Sequence, residues 1–316
     1  MTLHFIQHKN IDFKKWDDCL AHAHNSRPYG FATMLNAACG AQWDAIVLGD
    51  YEAVMPLPYN RKLLIIKQLY QPILLQQLGV FSKFRLAPND LQAFLNAAQT
   101  HFKRIRTQLN SENKIADLLE NNTKNGTNFL HKNTEFVTRN NHVLHLNLPY
   151  EMLYKNYNKG LRARLRQAQK NELRINENVN FDDWQRIFKM YQLPKITDLP
   201  RNIFKKISDI IQKISKSAYF SAQFLGVNDK NGVLIGVAFV VSSPQRVTVL
   251  LNASTDEGRK LAATHFIIDN LIQQYADTAT ILDFEGSSIP SIANFNCSFG
   301  AVNEPYFVLK SGVYSL

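Results

Sequence analysis

The same order of secondary-structure elements is predicted twice along this chain. Residues 43–81 alternate β-rich runs around a Gly49-Asp50 turn, which is typical of a hairpin followed by a further strand. Apolar side chains then recur at helical spacing from Pro88 to Ile105. Residues 219–253 repeat the strands, and residues 259–276 repeat the amphipathic helix. This order predicts an α/β (α+β) chain that contains two copies of one module.

The length of the chain agrees with this repeat, because 316 residues exceed one average domain and suit two. Residues 110–128 are rich in Asn, which is typical of a helix end and an exposed loop. Residues 135–148 alternate in polarity and are a candidate strand. We therefore expect an N-terminal domain of residues 1–140 and a C-terminal domain of residues 141–316.

The charge of the chain favours anionic partners. Lys and Arg number 36 against 26 Asp and Glu, a formal net charge of +10, which suits phosphates, nucleic acid or acidic lipid. Three scattered cysteines fit neither a disulfide framework nor a metal site, and His22 and His24 would point apart on a helix, so we expect no metal. No signal-peptide pattern and no long apolar run is present, so we expect a cytoplasmic protein without a membrane span.

Positive charge is concentrated in residues 157–175, which we predict to form one short helix. Arg162, Arg166 and Lys170 are spaced by four and share one broad helical face. Cations near a helix N-terminus and like charges one turn apart are both unfavourable, and an anionic partner would relieve both costs. A solvated face is the alternative. The six cations of the segment are Lys159, Arg162, Arg164, Arg166, Lys170 and Arg174.

Several short motifs, taken in order, resemble one family. They are "AIVLGDYEAVMPLPY" (45–59), "NKGLRARLRQAQKNELRI" (158–175), "GVLIGVAFVV" (232–241), "ILDFEGS" (281–287) and "ANFNCSFGA" (293–301). Together they are similar to the FemAB-type branch of the GNAT acyltransferases. The resemblance implies two GNAT-like domains, each a mixed, mostly antiparallel sheet flanked by helices, with the transfer site in the second domain at the ends of central strands.

The resemblance also implies a substrate class. Members of the FemAB branch transfer an amino acid from aminoacyl-tRNA to an amine of a peptidoglycan precursor, whereas other GNAT proteins use acyl-CoA. Both donors are polyanions, so we expect Arg162, Arg166 and Lys170 to receive the donor or substrate, with tRNA as one potential partner.

Aminolysis needs an acceptor for the amine proton and donors for the oxyanion. In "ILDFEGS", strand alternation would place Asp283 and Glu285 on one face, and mutual repulsion could raise the pKa of one carboxyl toward that of a useful base. Glu285, nearer the strand end, is the preferred base, and Asp283 would orient or cap. A purely structural polar face is the alternative. Tyr306 is a candidate general acid.

The chain departs from the family pattern in two places. Asn296 stands where the family commonly has a Lys that stabilises donor phosphate or the oxyanion, and an amide brings no charge. In "NASTDEGRKLAA" (252–263), Asp256 and Glu257 replace the glycine-rich pyrophosphate turn of acyl-CoA enzymes. Ser254 and Glu257 would form a capping box instead. Arg259 and Lys260 offset the acids in part and remain candidate donor-binding residues.

These observations predict an N-acyltransferase that moves an acyl or aminoacyl group from acyl-CoA or aminoacyl-tRNA to a primary amine. A second hypothesis remains open: a GNAT-fold protein that binds a nucleotide or RNA without turnover, as Asn296 and the acidic turn would allow.

Overall fold

The computed structural model describes residues 2–62, 66–125, 133–195, 203–243, 245–286 and 288–312. Its strands are β1 (Leu3–Ile6), β2 (Trp43–Leu48), β3 (Ala53–Lys62), β4 (Ile66–Leu69), β5 (Phe81–Ser82), β6 (Arg104–Leu109), β7 (Glu135–Arg139), β8 (His142–His145), β9 (Arg174–Asn176), β10 (Ser221–Asn228), β11 (Leu234–Ser242), β12 (Arg246–Ser254), β13 (Ile281–Asp283), β14 (Val302–Asn303) and β15 (Tyr306–Ser311). Its α-helices are α1 (Phe13–His22), α2 (Ala32–Cys39), α3 (Pro88–His101), α4 (Ile115–Asn125), α5 (Tyr150–Lys155), α6 (Lys159–Lys170), α7 (Phe181–Tyr191), α8 (Ile203–Ile214), α9 (Asp256–Lys260), α10 (Ala263–Tyr275) and α11 (Pro290–Cys297).

The chain divides into two compact units. Unit 1 comprises residues 1–140 together with 305–316, and unit 2 comprises residues 141–304. The structure differs from the expected division at the end of the chain, because β15 pairs with β6 and β7 of unit 1. Pairing between strands this far apart in sequence leaves no local pattern, so residues 305–312 could not be assigned from their own composition.

Each unit is built on one mixed, mostly antiparallel sheet, as predicted. In unit 1 the strand order is β1-β2-β3-β4-β6-β15-β7, with β5 beside β3. In unit 2 the order is β14-β8-β13-β12-β11-β10-β9. Read from β1 and from β9, both sheets run antiparallel up to the fourth strand, which then pairs in parallel with the fifth: β4 with β6, and β12 with β13. The described strands therefore repeat one topology, and the predicted duplication is confirmed.

The core of unit 1 lies between its sheet and α3. The apolar stripe of α3 is buried, and the helix begins after Ala87, its N-cap residue. The Gly49-Asp50 turn joins β2 to β3 in an antiparallel hairpin. For residues 110–128 we expect a helix end and an exposed loop. Residues 115–125 of this segment form α4, because Ile115 and Leu118 are buried against the same core, so more of it is helical than expected. Residues 126–128 of that prediction lie outside the described residues.

Unit 2 carries helices on both faces of its sheet. On one face, α10 packs with α6 against a core that includes Ala238 and Val240. On the other face, Trp184 of α7 stacks on Phe188 of the same helix and meets Phe239 of β11 edge-on. Because successive residues of a strand point to opposite faces, Ala238 and Phe239 of β11 identify the two layers.

Three local predictions for unit 2 need correction. The basic helix ends at Lys170, and a left-handed residue, Glu172 with φ 53°, turns the chain so that Arg174 lies in edge strand β9. The predicted helix over 259–276 is two helices, divided at Ala262 with φ 64°. The predicted strand over 135–148 is also two strands, β7 in unit 1 and β8 in unit 2.

A buried carboxyl group in unit 1 makes stability depend on pH. Asp17 of α1 is 5% exposed, and its Oδ1 accepts the backbone N–H of Ala32 in the first turn of α2 at 2.8 Å. Burial raises the pKa of Asp17 from 3.8 to about 6, against the opposing effect of this hydrogen bond. The folded chain therefore binds a proton more tightly than the unfolded chain does.

We predict that Asp17→Asn stabilises the protein at pH 7.5 and has little effect near pH 4. A raised carboxyl pKa favours folding below pH 3.8, and that advantage is lost as the pH rises through 6, a difference of about 3 kcal/mol. The amide keeps an acceptor for Ala32 but cannot ionise. Denaturant unfolding at both pH values measures the change. Asp18→Asn is the control: Lys83 lowers the pKa of exposed Asp18, so this variant should gain nothing at pH 7.5.

Candidate active site

Strands β12 and β13 of unit 2 separate part of the way along the sheet. Their parallel pairing runs from Arg246–Ile281 to Thr248–Asp283 and then stops. β12 continues to Ser254, with Leu250 as an extra bulged residue opposite Phe239 and Val240 of β11. The chain after Asp283 turns away from β12. A sheet that opens between two neighbouring strands leaves backbone and side chains accessible in its middle.

A pocket of about 500 Å³ lies at this separation. On the face of the sheet that α7 covers, the pocket is lined by the end of the 3₁₀ turn Leu193–Lys195, which follows α7. The rest of the wall comes from β12, the turn after β13, and α9, α10 and α11. The lining residues are Gln192, Lys195, Val249, Asn252, Gly258, Arg259, Ala262, Thr264, His265, Ile268, Phe284, Glu285, Gly286, Ser291, Ile292, Phe295 and Asn296.

Glu285 supplies the carboxylate of this pocket from a fixed turn. Glu285 and Gly286 have φ values of 49° and 68°, so the backbone is left-handed at both residues. The Glu285 N–H donates to Asp283 Oδ1 at 3.0 Å, and the Gly286 N–H donates to Asn141 Oδ1 at 3.2 Å. These bonds hold a backbone conformation that a non-glycine residue rarely adopts.

Asp283 does not line the pocket. It is fully buried, and its Oδ2 accepts from Arg246 Nη1 at 2.6 Å while its Oδ1 accepts from Asn141 Nδ2 at 2.9 Å. The expectation that Asp283 and Glu285 share a strand face is wrong, because β13 ends at Asp283 and the turn interrupts the alternation.

Arg246 joins this cluster to a second carboxylate. Its guanidinium is 1% exposed and also donates to Glu304 at 2.9 and 3.2 Å. Burial lowers the pKa of Arg246, but Asp283 and Glu304 more than offset this effect and raise it overall. Arg246 therefore stays protonated, and its bonds tie β12, β13 and the segment after β14 together.

In the turn between β12 and α10, the basic side chains pair with the acidic side chains of the same turn. Thr255, rather than the predicted Ser254–Glu257 capping box, caps α9 by accepting the Gly258 N–H at 2.9 Å. Arg259 forms an ion pair with Asp256 and also donates to the Ser254 carbonyl at 2.7 Å, while Lys260 donates to Glu257 at 3.3 Å. Arg259 lines the pocket, but both predicted donor-binding cations of this turn already have acidic partners.

Gly258 is required by close packing in the same turn. A Cβ at this position would collide with the backbone carbonyl oxygen of Ile235 in β11. The single glycine of the segment thus lets the turn approach the sheet, a packing role that differs from cradling a pyrophosphate.

His265 lies in the pocket wall at the beginning of α10. Its ring meets Phe295 at 4.6 Å between centroids and Phe299 at 6.1 Å. Burial, and secondarily the charge of Arg164 on α6, lowers the pKa of His265 to about 4. Helical periodicity predicted an amphipathic helix over residues 259–276 and did not identify His265 as a site residue. The signal for it was a histidine within an otherwise apolar helical face.

Helix α6 presents its cations much as its periodicity predicted. Leu161, Leu165 and Ala168 are buried, Arg166 and Lys170 are exposed, and Arg162 is partly exposed. Over residues 159–170, all within the described chain, no Lys or Arg forms an ion pair with a described residue. Arg162, Arg166 and Lys170 are not among the pocket-lining residues, whereas Arg164 lies close enough to affect His265.

The structure places the remaining candidates as follows. Asn296 on α11 lines the pocket and is 2% exposed. Tyr306 begins β15 in unit 1, whereas the pocket is lined by unit 2 residues. Among the described residues, no cluster of three or more His, Cys, Asp or Glu side chains is arranged to hold a metal ion. Every helix in the same residues is too short or too polar to cross a membrane.

Comparison with known proteins identifies the fold. No protein-family model and no curated protein sequence matches the chain. The structure is similar to FemX, with a TM-score of 0.71, 12% sequence identity and 97% of each chain covered. It is also similar to L-PGS from Bacillus licheniformis (TM-score 0.57, 10% identity, 96% of this chain and 93% of that chain). A conserved protein of unknown function from Bacteroides thetaiotaomicron matches at 0.61, with 10% identity over 98% and 100% of the two chains.

The chain therefore has a FemX-like tandem GNAT fold, as the resemblance of its motifs to the FemAB-type family led us to expect. At 12% identity the likeness extends to the fold and not to the chemistry of individual residues.

We predict that Arg246→Met lowers the free energy of unfolding by about 3–5 kcal/mol, because it leaves Asp283 as an uncompensated buried charge. Arg186→Met is the matched control. It breaks an ion pair with Asp183 in which both side chains are largely exposed, and should cost less than about 1 kcal/mol. Denaturant unfolding followed by tryptophan fluorescence measures both. Adding Asp283→Asn to Arg246→Met should recover part of the loss. Equal effects of the two Arg variants would contradict this account of the cluster.

Proposed function

We propose that this protein is an N-acyltransferase that moves an acyl or aminoacyl group from an anionic donor to a primary amine. The observation that carries the proposal is the pocket where β12 and β13 separate, with Glu285 in its wall. A site that opens through the middle of a sheet, between two helical layers, can admit a donor from one side and an amine from the other.

Glu285 has the chemistry that aminolysis needs. An ammonium cannot attack a carbonyl, so a carboxylate in the pocket would take a proton from the incoming amine. The turn of Glu285 and Gly286 is held by Asp283 and Asn141, so this carboxylate stands on a fixed backbone. Asn296 lines the same pocket and can donate a hydrogen bond to the developing oxyanion. In this proposal Asp283 orients the base and does not itself contact substrate.

The donor is proposed to be a polyanion, either acyl-CoA or aminoacyl-tRNA. The cations of α6, among them Arg162, Arg166 and Lys170, form no ion pair with a described residue and concentrate positive charge on a helix whose N-terminus disfavours it. Phosphate groups would relieve this repulsion. Because Arg259 and Lys260 are already paired with acids, the α9 turn gives little support to a pyrophosphate site of the acyl-CoA type.

The self-paired α9 turn also favours a second candidate function. A chain that keeps the fold but binds a nucleotide or RNA through α6, without turnover, would equally leave Arg259 and Lys260 engaged with Asp256 and Glu257. The two functions differ in whether the donor is consumed.

We predict that the wild-type protein consumes radiolabelled acetyl-CoA or aminoacyl-tRNA in the presence of a primary amine such as glycinamide or ethanolamine. Glu285→Gln should slow turnover by about 10²- to 10⁴-fold without weakening donor binding. The substitution replaces the general base with an amide of similar shape that cannot take the proton. Arg166→Ala should weaken binding and reduce its dependence on salt concentration. Labelled product and filter binding measure the two effects.

Lys216→Ala is the control for Arg166→Ala, since it removes an exposed cation after α8, outside the cluster on α6. Binding that is salt-dependent and weakened by Arg166→Ala, with no donor consumed, would support the binding protein instead. Absence of both turnover and binding would contradict both functions.

A further inference from the structure

We infer that His265 is a catalytic residue of the proposed transferase, whose neutral imidazole donates a hydrogen bond to the carbonyl oxygen of the acyl group in the pocket. This inference rests on the proposed function and assigns a role that the sequence motifs do not. It follows from the position of the ring, the absence of a hydrogen bond from its nitrogens to any described residue, and the charges around it.

The ring is fixed in the pocket wall. Ala262 is left-handed, and α10 begins immediately after it, so His265 lies in the first turn of the helix. Phe295 packs edge-on against the imidazole with an interplanar angle of 61°, and Phe299 lies nearly parallel to it at 26°. Two aromatic neighbours restrict the rotamer, so the ring nitrogens point in a limited range of directions.

The ring nitrogens of His265 are available for hydrogen bonds to a ligand. Thr264, the preceding residue, bonds to Ser254 at 2.7 Å, whereas neither nitrogen of His265 forms a hydrogen bond with any described residue. A neutral imidazole always carries one N–H donor and one acceptor. Because a partly buried donor without a partner is costly, a ligand oxygen in the pocket would satisfy it.

The surroundings keep the imidazole neutral. The charged groups of the pocket wall are Lys195 after α7, Arg259 on α9 and Glu285 after β13. Arg164 on α6 does not line the pocket, but its charge also lowers the pKa of the ring. The ring lies in the first turn of α10, where the helix dipole disfavours a cation. With a pKa of about 4, His265 holds no positive charge at neutral pH and is a weak base. These conditions favour a hydrogen-bond donor and leave the role of base to Glu285.

The transfer needs no proton from His265, because the imidazole only donates a hydrogen bond. The amine nitrogen forms a bond to the carbonyl carbon, and the π electrons move to the carbonyl oxygen, where the imidazole N–H and the Asn296 amide stabilise them. The C=O bond then re-forms and the bond to the donor sulfur or ribose oxygen breaks. Glu285 takes the amine proton and returns it to that leaving group. Two neutral donors thereby replace the single Lys that the family carries at the Asn296 position.

The test compares His265→Leu, which has no donor, with His265→Gln, whose amide can donate. Steady-state kinetics use the donor, acetyl-CoA or aminoacyl-tRNA, that the wild-type protein consumes, with glycinamide as acceptor. His265→Leu should lower kcat by about 10²- to 10³-fold with little change in KM, and His265→Gln should recover at least tenfold of that loss. His142→Leu is the matched control, because His142 is also buried in unit 2 but does not line the pocket.

Two measurements keep the outcomes distinct. Near-ultraviolet circular dichroism checks that each variant is folded, and NMR of ¹⁵N-histidine follows the His265 ring from pH 8 to pH 5. A ring that stays neutral over this range, with the kinetic pattern above, supports the inference. A ring that becomes protonated near pH 6.5, or a folded His265→Leu variant that keeps kcat within threefold of wild type, overturns it while the transferase activity stands. If the wild-type protein consumes neither donor, the proposed function fails, and this role fails with it.

Discussion

The buried cluster of Arg246, Asp283 and Glu304 determines where the sheet of unit 2 opens. Arg246 begins β12 and Asp283 ends β13, so their ion pair of 2.6 Å spans the last stretch over which these strands remain neighbours. Beyond it no described backbone pairing joins the two strands. A guanidinium that is 1% exposed cannot leave this position without leaving the fully buried Asp283 carboxylate as an uncompensated charge. The place of the pocket thus follows from electrostatics at the end of a strand.

The same cluster explains how a strained turn persists in the pocket wall. Asp283 accepts hydrogen bonds from Arg246, from Asn141 and from the backbone of Glu285, so one carboxylate links the ion pair to the left-handed turn. Isolated, a left-handed glutamate is unfavourable by about 1–3 kcal/mol. Because Asp283 and Asn141 are themselves fully buried, that conformation is imposed by the interior of unit 2 and not by the exposed loop that follows.

Periodicity in the sequence predicted those elements in which a regular pattern of apolar and polar residues packs against a single neighbouring surface. The β2–β3 hairpin and the cationic face of α6 are examples. It failed where distant strands decide the outcome, as for β15, and where one left-handed residue divides an element, as at Ala262. For the site, motifs pointed to the region of Glu285 and Asn296. They missed His265, because a helical face that meets a pocket has the same spacing as one that meets a core.

Helix α10 connects the basic surface to the pocket. Asp269, one turn after His265, is 3% exposed and accepts hydrogen bonds from Tyr150 at 3.0 Å and Tyr157 at 2.9 Å. Burial raises the pKa of Asp269, and the two tyrosine bonds oppose that rise. Tyr150 is the first residue of α5, and Tyr157 lies just before Asn158, the N-cap of α6, so these bonds hold the start of the basic helix against α10. Arg164 on that helix contributes, after burial, to the lowered pKa of His265 on α10.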